Sequence, residues 1–425
     1  MQTLKEGIIK LKNTGFFHIF SSSVINKIIV FASGIILVRI LSKPEYGVFT
    51  YANNILSICK LASGFGIVSA MLQVCSETDN IEKRRVIYTY CSRFSLFFNS
   101  VLGIVILFIS IIVPLPIAGS NRCLTLMCLI PLLHIIFDLQ TTHFRTELKT
   151  KEYAYANTIS TVLTFVFSCA LSYLFGVNGL VLAQYVSLLL IILIISFCFK
   201  NRISFRRVEL DSETKHSLFS IGGVSMTNNG LSQIMYFLDI LVIGMVIKDE
   251  TVVASYKIAT TIPTALTFIP LSVIVYVYPY FARNKDNKTW LIEHYKKLTA
   301  IMGVVNVVIG GILFAFAPII IRIIFGHQYL DAVSPFRVLS ISYIFSGTFR
   351  IICGNLLVTQ RKLKFNLIIA GASGALNTVL NVIFISAYGS IGAAIATIIT
   401  VIVTSILNTW YLIRTFRRIP TEVIA

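Results

Sequence analysis

Apolar runs of twenty residues or more recur along the whole chain, and no fold in water can bury so many of them. The stretch "NKIIVFASGIILV" at 26–38 lies within one of the first. About 20 residues of helix cross the ~30 Å hydrocarbon core of a bilayer. Backbone polar groups find no water there, so runs of that length read as helices. The apolar/polar alternation of a membrane β-barrel is absent. Only 13% of the 425 residues are charged and mean hydropathy is +0.84, whereas soluble domains carry roughly 25% charged residues. The pattern predicts an all-α integral membrane protein. Its twelve spans lie near 17–41, 47–71, 87–113, 122–144, 153–175, 180–199, 216–247, 252–281, 298–325, 333–358, 366–387 and 392–413.

The formal net charge of +18 raises nucleic-acid binding as a possibility, and the placement of the charges argues against it. Of the 36 Lys and Arg, 25 fall in the N-terminus, the even-numbered loops and the C-terminus. The odd-numbered loops carry only Lys43, Arg122 and Lys248. This is the positive-inside pattern, which places both termini in the cytoplasm and the basic loops against anionic headgroups. No cleavable signal peptide is expected, because the first apolar run is too long and lacks a small-residue cleavage site. The eight cysteines form no CxxC pair and read as small core hydrophobes, so neither a metal site nor a disulfide framework is expected. Walker A and nucleophile–base signatures are missing. No exterior loop exceeds about ten residues, which leaves little from which to build an enzyme site there.

The longest loop, 200–215, divides the chain into an N-terminal lobe 1–199 and a C-terminal lobe 216–425. The halves echo each other. "KPEYGVFTY" at 43–51 aligns with "KDETVVASY" at 248–256 at an offset of 205. "FGVNGLVLA" at 175–183 aligns with "YGSIGAAIA" at 388–396, and "TELKTK" at 146–151 with "TQRKLK" at 359–364, both at an offset of 213. Both halves start on the same side, which makes this a parallel repeat. Transporters built from repeats place the substrate at the repeat interface.

Ionisable groups inside spans are expensive and mark functional sites. Eight are basic: Lys27, Arg39, Lys60, Arg93, Lys257, Arg322, Arg337 and Arg350. Two are acidic, Asp138 and Asp239. Arg39, Arg322 and Arg337 lie near exterior ends, where they can snorkel to the headgroups. Lys27, Lys60, Arg93 and Arg350 lie deeper and are the expected ligands of an anionic group. Arg would grip a diphosphate as a fork and Lys as a point charge. Asn53 shares a helical face with Ser57 and Lys60, and Asn228 lies on a stripe with Ser225, Ser232 and Asp239. Such stripes suit sugar hydroxyls, and they equally suit close helix packing. His134 and Asp138, four residues apart, form a pair able to take up a proton. Asp239 and Lys257 are expected to form a structural ion pair.

"LVRILSKPEYGVFTYANNI" in the first hairpin resembles the R-x-L-[GS]-x-x-[EQ]-[YF]-G signature of Wzx-type flippases for O-antigen and capsule units. These belong to the multidrug/oligosaccharidyl-lipid/polysaccharide exporter superfamily. "DILVIGMVIKDETVVASYKIA" at 239–259 resembles the segment opening that family's second half. The resemblance implies two six-helix lobes around a V-shaped cavity worked by alternating access. It implies a bacterial inner-membrane flippase moving an undecaprenyl-diphosphate-linked oligosaccharide from the inner to the outer leaflet. It further implies a proton or sodium gradient in place of a bound cofactor, membrane lipids as surroundings, and a polysaccharide polymerase and chain-length regulator as partners. The alternatives are a drug/cation antiporter of the same superfamily, which the excess of in-span cations disfavours, and a membrane glycosyltransferase or polymerase.

Overall fold

The computed structural model describes residues 16–199, 201 and 208–420, without the side chains of 16–21, 231, 232, 235 and 236. Every regular element among the described residues is helical. The chain forms two compact units that divide at Gly230–Leu231. The expected division at 200–215, part of which lies outside the described residues, therefore differs from the observed one. A glycine contact accounts for this. Gly222 approaches the backbone of Phe65 and Gly66 so closely that a Cβ on Gly66 would lie 2.2 Å from the Gly222 carbonyl oxygen. The start of the seventh expected span is thereby packed into the first unit.

The first unit contains α1 (Phe16–Ile40), α2 (Lys43–Lys60), α3 (Ile67–Ser76), α4 (Ile81–Ile112), α5 (Ser120–Leu126), α6 (Ile130–Thr146), α7 (Thr150–Phe197) and the start of α8 (Ser212–Ile247). The second contains the rest of α8, then α9 (Glu250–Leu266), α10 (Phe268–Arg283), α11 (Lys288–Ala315), α12 (Ala317–Ile324), α13 (Val333–Phe345), α14 (Ile351–Thr359), α15 (Leu363–Tyr388) and α16 (Ser390–Arg417). Asp211 caps α8, and the Thr214 hydroxyl and backbone N–H hold its carboxyl below the usual carboxylate range.

Among the described residues, eight helices can cross a membrane by length and hydropathy, or ten if the bent pairs α2/α3 and α5/α6 each count as one. Twelve were expected, and part of the difference is a matter of geometry. α7 has 48 residues, or ~72 Å of helix, more than twice the hydrocarbon thickness. Its backbone leaves helical torsions at Gly176 (φ 57°, ψ −135°). A Cβ on Gly179 would sit 1.9 Å from the carbonyl oxygen of Leu171. Residues eight apart on a straight helix are ~12 Å apart, so the chain doubles back here. The expected fifth and sixth spans are thus continuous except for one glycine turn. In α8, Phe237–Ile247 is a shorter apolar helix.

The sequence repeat recurs in the backbone. Gly389 (φ 61°, ψ −140°) repeats the torsions of Gly176, and a Cβ on Gly392 would lie 1.9 Å from the Phe384 carbonyl oxygen, as Gly179 does from Leu171. The loops after α6 and α14 also match. Leu148 (φ 59°) and Arg361 (φ 57°) both occupy the left-handed region. Lys149 N–H reaches Phe144 O at 2.8 Å, and Lys362 N–H reaches Leu357 O at 3.0 Å. Leu148 N–H bonds Arg145 O, and Arg361 N–H bonds Val358 O. Each is a Schellman C-cap built without the usual glycine. Two apolar clusters complete the pattern, one around Met71, Cys91 and Leu139, the other around Leu291, Met302 and Ile352.

Candidate functional site

Two of the in-span cations, Lys60 and Arg350, lie where helices break. Lys60 is the last residue of α2 and is partly buried. After it the chain turns through Gly64 (φ 57°), Phe65 (φ 52°) and Gly66 (φ 69°) before α3 begins, with a 42° bend. Phe65 tolerates this conformation inside a ring cluster with Phe98 and Phe219. Lys60 stands within electrostatic reach of Asp138 on α6, which follows the second bend. Asp138 Oδ2 is 2.9 Å from His134 Nδ1, so the expected histidine–carboxylate pair forms, and both side chains are more than a third exposed. Interrupted helices expose backbone dipoles to a ligand, and membrane transporters use them to bind ions and substrates.

Arg350 occupies the corresponding kind of position in the second unit. It closes a π turn, Ser346–Arg350, between α13 and α14. A π turn inserts one residue and swings the following side chains by about 100°. Asn306 supports it from α11, donating from Nδ2 to Thr348 Oγ1 at 3.2 Å. Gly347 leaves room for that amide, because a Cβ there would lie 2.8 Å from Asn306 Nδ2. Arg350 lines a cavity of about 280 Å³ with Asn355, Asn366, Ser373, Thr404 and Asn408. Asn408 is buried and its Oδ1 has no hydrogen-bond partner.

The other expected ligands are placed differently. Arg93 is exposed and continues the apolar stripe of α4 formed by Phe97, Ile104, Phe108 and Ile111. Such a face suits lipid, with the guanidinium snorkelling. Lys27 and Asn228 are exposed. Asn53 is partly buried, and its carbonyl accepts from Ser57 Oγ at 2.7 Å.

The expected Asp239–Lys257 ion pair does not form. Asp239 is 7% exposed and accepts 2.7 Å hydrogen bonds from Tyr256 Oη, Asn381 Nδ2 and Thr397 Oγ1. Successive helical residues diverge by about 100°, so with Tyr256 aimed at Asp239 the Lys257 side chain leaves on another face. Sequence reasoning missed most of this cluster. The buried face of α15 runs through Ser373, Asn377 and Asn381. The four-residue spacing of these three was visible in the sequence.

A buried carboxylate surrounded by neutral donors carries a large desolvation cost. A proton or a small cation relieves it. Asp239, Asn377, Asn381 and Thr397 supply oxygens of the type that hard cations prefer, and Asn381 Oδ1 is buried without a hydrogen-bond partner. No group of three or more His, Cys, Asp or Glu able to hold a metal occurs among the described residues.

Comparisons with known proteins agree with this multi-pass architecture. A family model described as "Polysaccharide biosynthesis protein" matches residues 36–334. A Shigella flexneri protein named as a proposed O-antigen transporter is 26% identical over 237 residues, 55% of each chain. An uncharacterised membrane protein of Methanocaldococcus jannaschii is 25% identical over 284 residues, 63% of this chain and 54% of that one. The matched region thus spans about half the length of both relatives. Among solved structures, an inward-facing multidrug resistance MATE transporter superposes with a TM-score of 0.71 at 17% identity, covering 92% of this chain and 96% of that one. The lipid II flippase MurJ superposes with a TM-score of 0.72 at 16% identity, covering 94% and 89%. The chain is a member of the polysaccharide biosynthesis protein family, with the fold of the multidrug/oligosaccharidyl-lipid/polysaccharide transporters.

Proposed function

We propose that this protein is a flippase for undecaprenyl-diphosphate-linked oligosaccharide units in the bacterial inner membrane, with both termini cytoplasmic. It works by alternating access and draws on a proton or sodium gradient. The observation that carries the reading is the coincidence of in-span cations with broken helices: Lys60 at the left-handed turn and Arg350 at the π turn. A diphosphate needs cations at membrane depth, and a sugar chain needs the amide- and hydroxyl-lined cavity beside Arg350. Lys27 adds a further cation on α1, and Asn53 and Asn228 further polar contacts. Arg93 serves at the headgroup boundary.

Two sites take the coupling role. His134–Asp138 exchanges protons in the first unit, and the Asp239 cluster takes a proton or sodium ion in the second. Polysaccharide polymerase and chain-length regulator act on the product downstream. The test is surface polysaccharide in cells whose only such transporter is this chain. Lys60→Ala and Arg350→Ala should abolish it with membrane levels of the protein unchanged. Normal polysaccharide in both variants would overturn the assignment of these two cations.

A further inference from the structure

Each unit carries a pocket where the loop after α6 or α14 meets the end of a later helix, and the two pockets differ in charge balance. The first, about 760 Å³, is lined by Arg84, Arg85, His143, Glu147, Lys149 and Asn201 among others. Its cations are matched by acids: Arg84 with Asp79 at 3.5 Å, Arg85 with Glu82 at 3.3 Å and Lys149 with Glu147 at 2.6 Å. Asn201 is tied into the wall, with Nδ2 donating to Gln140 O at 2.9 Å.

The second, about 480 Å³, is lined by Gln360, Lys362, Arg414 and Arg418, with Tyr411 and the carboxylate of Asp286. The offset of 213 pairs Lys149 with Lys362, Glu147 with Gln360 and Asn201 with Arg414. The acid that neutralises the first lysine is thus an amide in the second unit, and a neutral wall residue has become an arginine. The backbone carrying the two lysines is the same Schellman turn. No ion pair of Lys362, Arg414 or Arg418 occurs among the described residues.

Three cations around one cavity with a single carboxylate select an anion. Arginine forks beside a lysine suit phosphate oxygens. The surroundings are those of a membrane interface. Trp410 is exposed and stacks under Arg414, with the guanidinium 5.3 Å from the ring centroid. Leu363 and Ile406 on the adjoining helices are also exposed. Tryptophan at a helix end marks the headgroup level, and basic pockets between helix ends hold anionic headgroups. We propose that this pocket binds the phosphodiester headgroup of an anionic membrane phospholipid.

The test uses the purified full chain in phosphatidylcholine nanodiscs, titrated with phosphatidylglycerol and, in a parallel arm, with inorganic phosphate. Thermal unfolding and lipid retention in native mass spectra are the readouts. Phosphatidylglycerol should stabilise the protein and be retained. The triple variant Lys362→Gln, Arg414→Gln, Arg418→Gln should weaken this at least tenfold. Gln360→Glu, which restores the acid of the first unit, should weaken it several-fold, and Lys149→Gln should leave it unchanged. Wild-type retention in both the triple variant and Gln360→Glu would overturn the proposal. Equal stabilisation by inorganic phosphate would also overturn it, by assigning the pocket to a soluble anion.

Discussion

The two units share their backbone devices and differ in their buried chemistry. Gly176 and Gly389 turn the chain with the same torsions, and Leu148 and Arg361 close equivalent helices. Tyr51 and Tyr256, paired at the offset of 205, are both fully buried. Yet Tyr256 Oη donates to Asp239, whereas Tyr51 Oη has no hydrogen-bond partner. The same offset pairs Asp239 with Gly34, and the offset of 213 pairs Asn377 and Asn381 with Thr164 and Ser168. The carboxylate cluster thus belongs to the second unit alone. Its counterpart in the first unit is a half-exposed His134–Asp138 pair on a different helix. Duplicated architecture sets where helices turn, and single side chains decide which copy buries a carboxylate.

The largest expected effect tests the shared architecture. Gly179→Ala and Gly392→Ala each drive a Cβ into a backbone carbonyl, so both should lose on the order of 3 kcal/mol or more. Fluorescence-detected size exclusion should show little folded protein in either case. A normal profile for one of them would mean that the two turns are not equivalent.

The next pair probes the difference between the units. Tyr256→Phe removes a donor from a buried carboxylate and should cost about 1–3 kcal/mol. Tyr51→Phe removes a hydroxyl that satisfies nothing, and should be neutral or slightly stabilising. Thermal melts in detergent measure both. Equal losses would show that Tyr51 has a polar partner in the membrane and would erase the asymmetry.

These contrasts also show what could be read from the sequence. The turn at "FGVNG" and its copy "YGSIG" were legible because a glycine turn is decided by a few adjacent residues. The same holds for "TELKTK" and "TQRKLK". The His134–Asp138 contact followed from helical spacing. The partner of Asp239 was misassigned because opposite charges on neighbouring spans say nothing about which helical face each occupies. Tyr256, one residue from Lys257, took that place. The walls of the Arg350 cavity come from α14, α15 and α16, and such tertiary convergence has no local sequence signal. The π turn that aims Arg350 is equally silent in the sequence.

The smallest effect returns to the shared turns. Leu148→Gly and Arg361→Gly relieve a left-handed conformation at non-glycine residues, offset in part by the entropy of glycine. Both should stabilise by about 0.5–1 kcal/mol, with the same sign in each unit. Opposite signs in calorimetry would separate the two loops.

Translocation in reconstituted vesicles tests whether this protein is a flippase. Protein is incorporated with a lipid-diphosphate-linked oligosaccharide, a proton or sodium gradient is imposed, and lectin access to the sugar is followed with time. Wild-type protein should move the lipid faster than empty vesicles do, with a rate that follows the gradient. The double variant Asp138→Asn, Asp239→Asn should bind the lipid yet lose the response to the gradient. Translocation no faster than in empty vesicles, or a gradient response intact in that double variant, would overturn the assignment of a gradient-driven flippase.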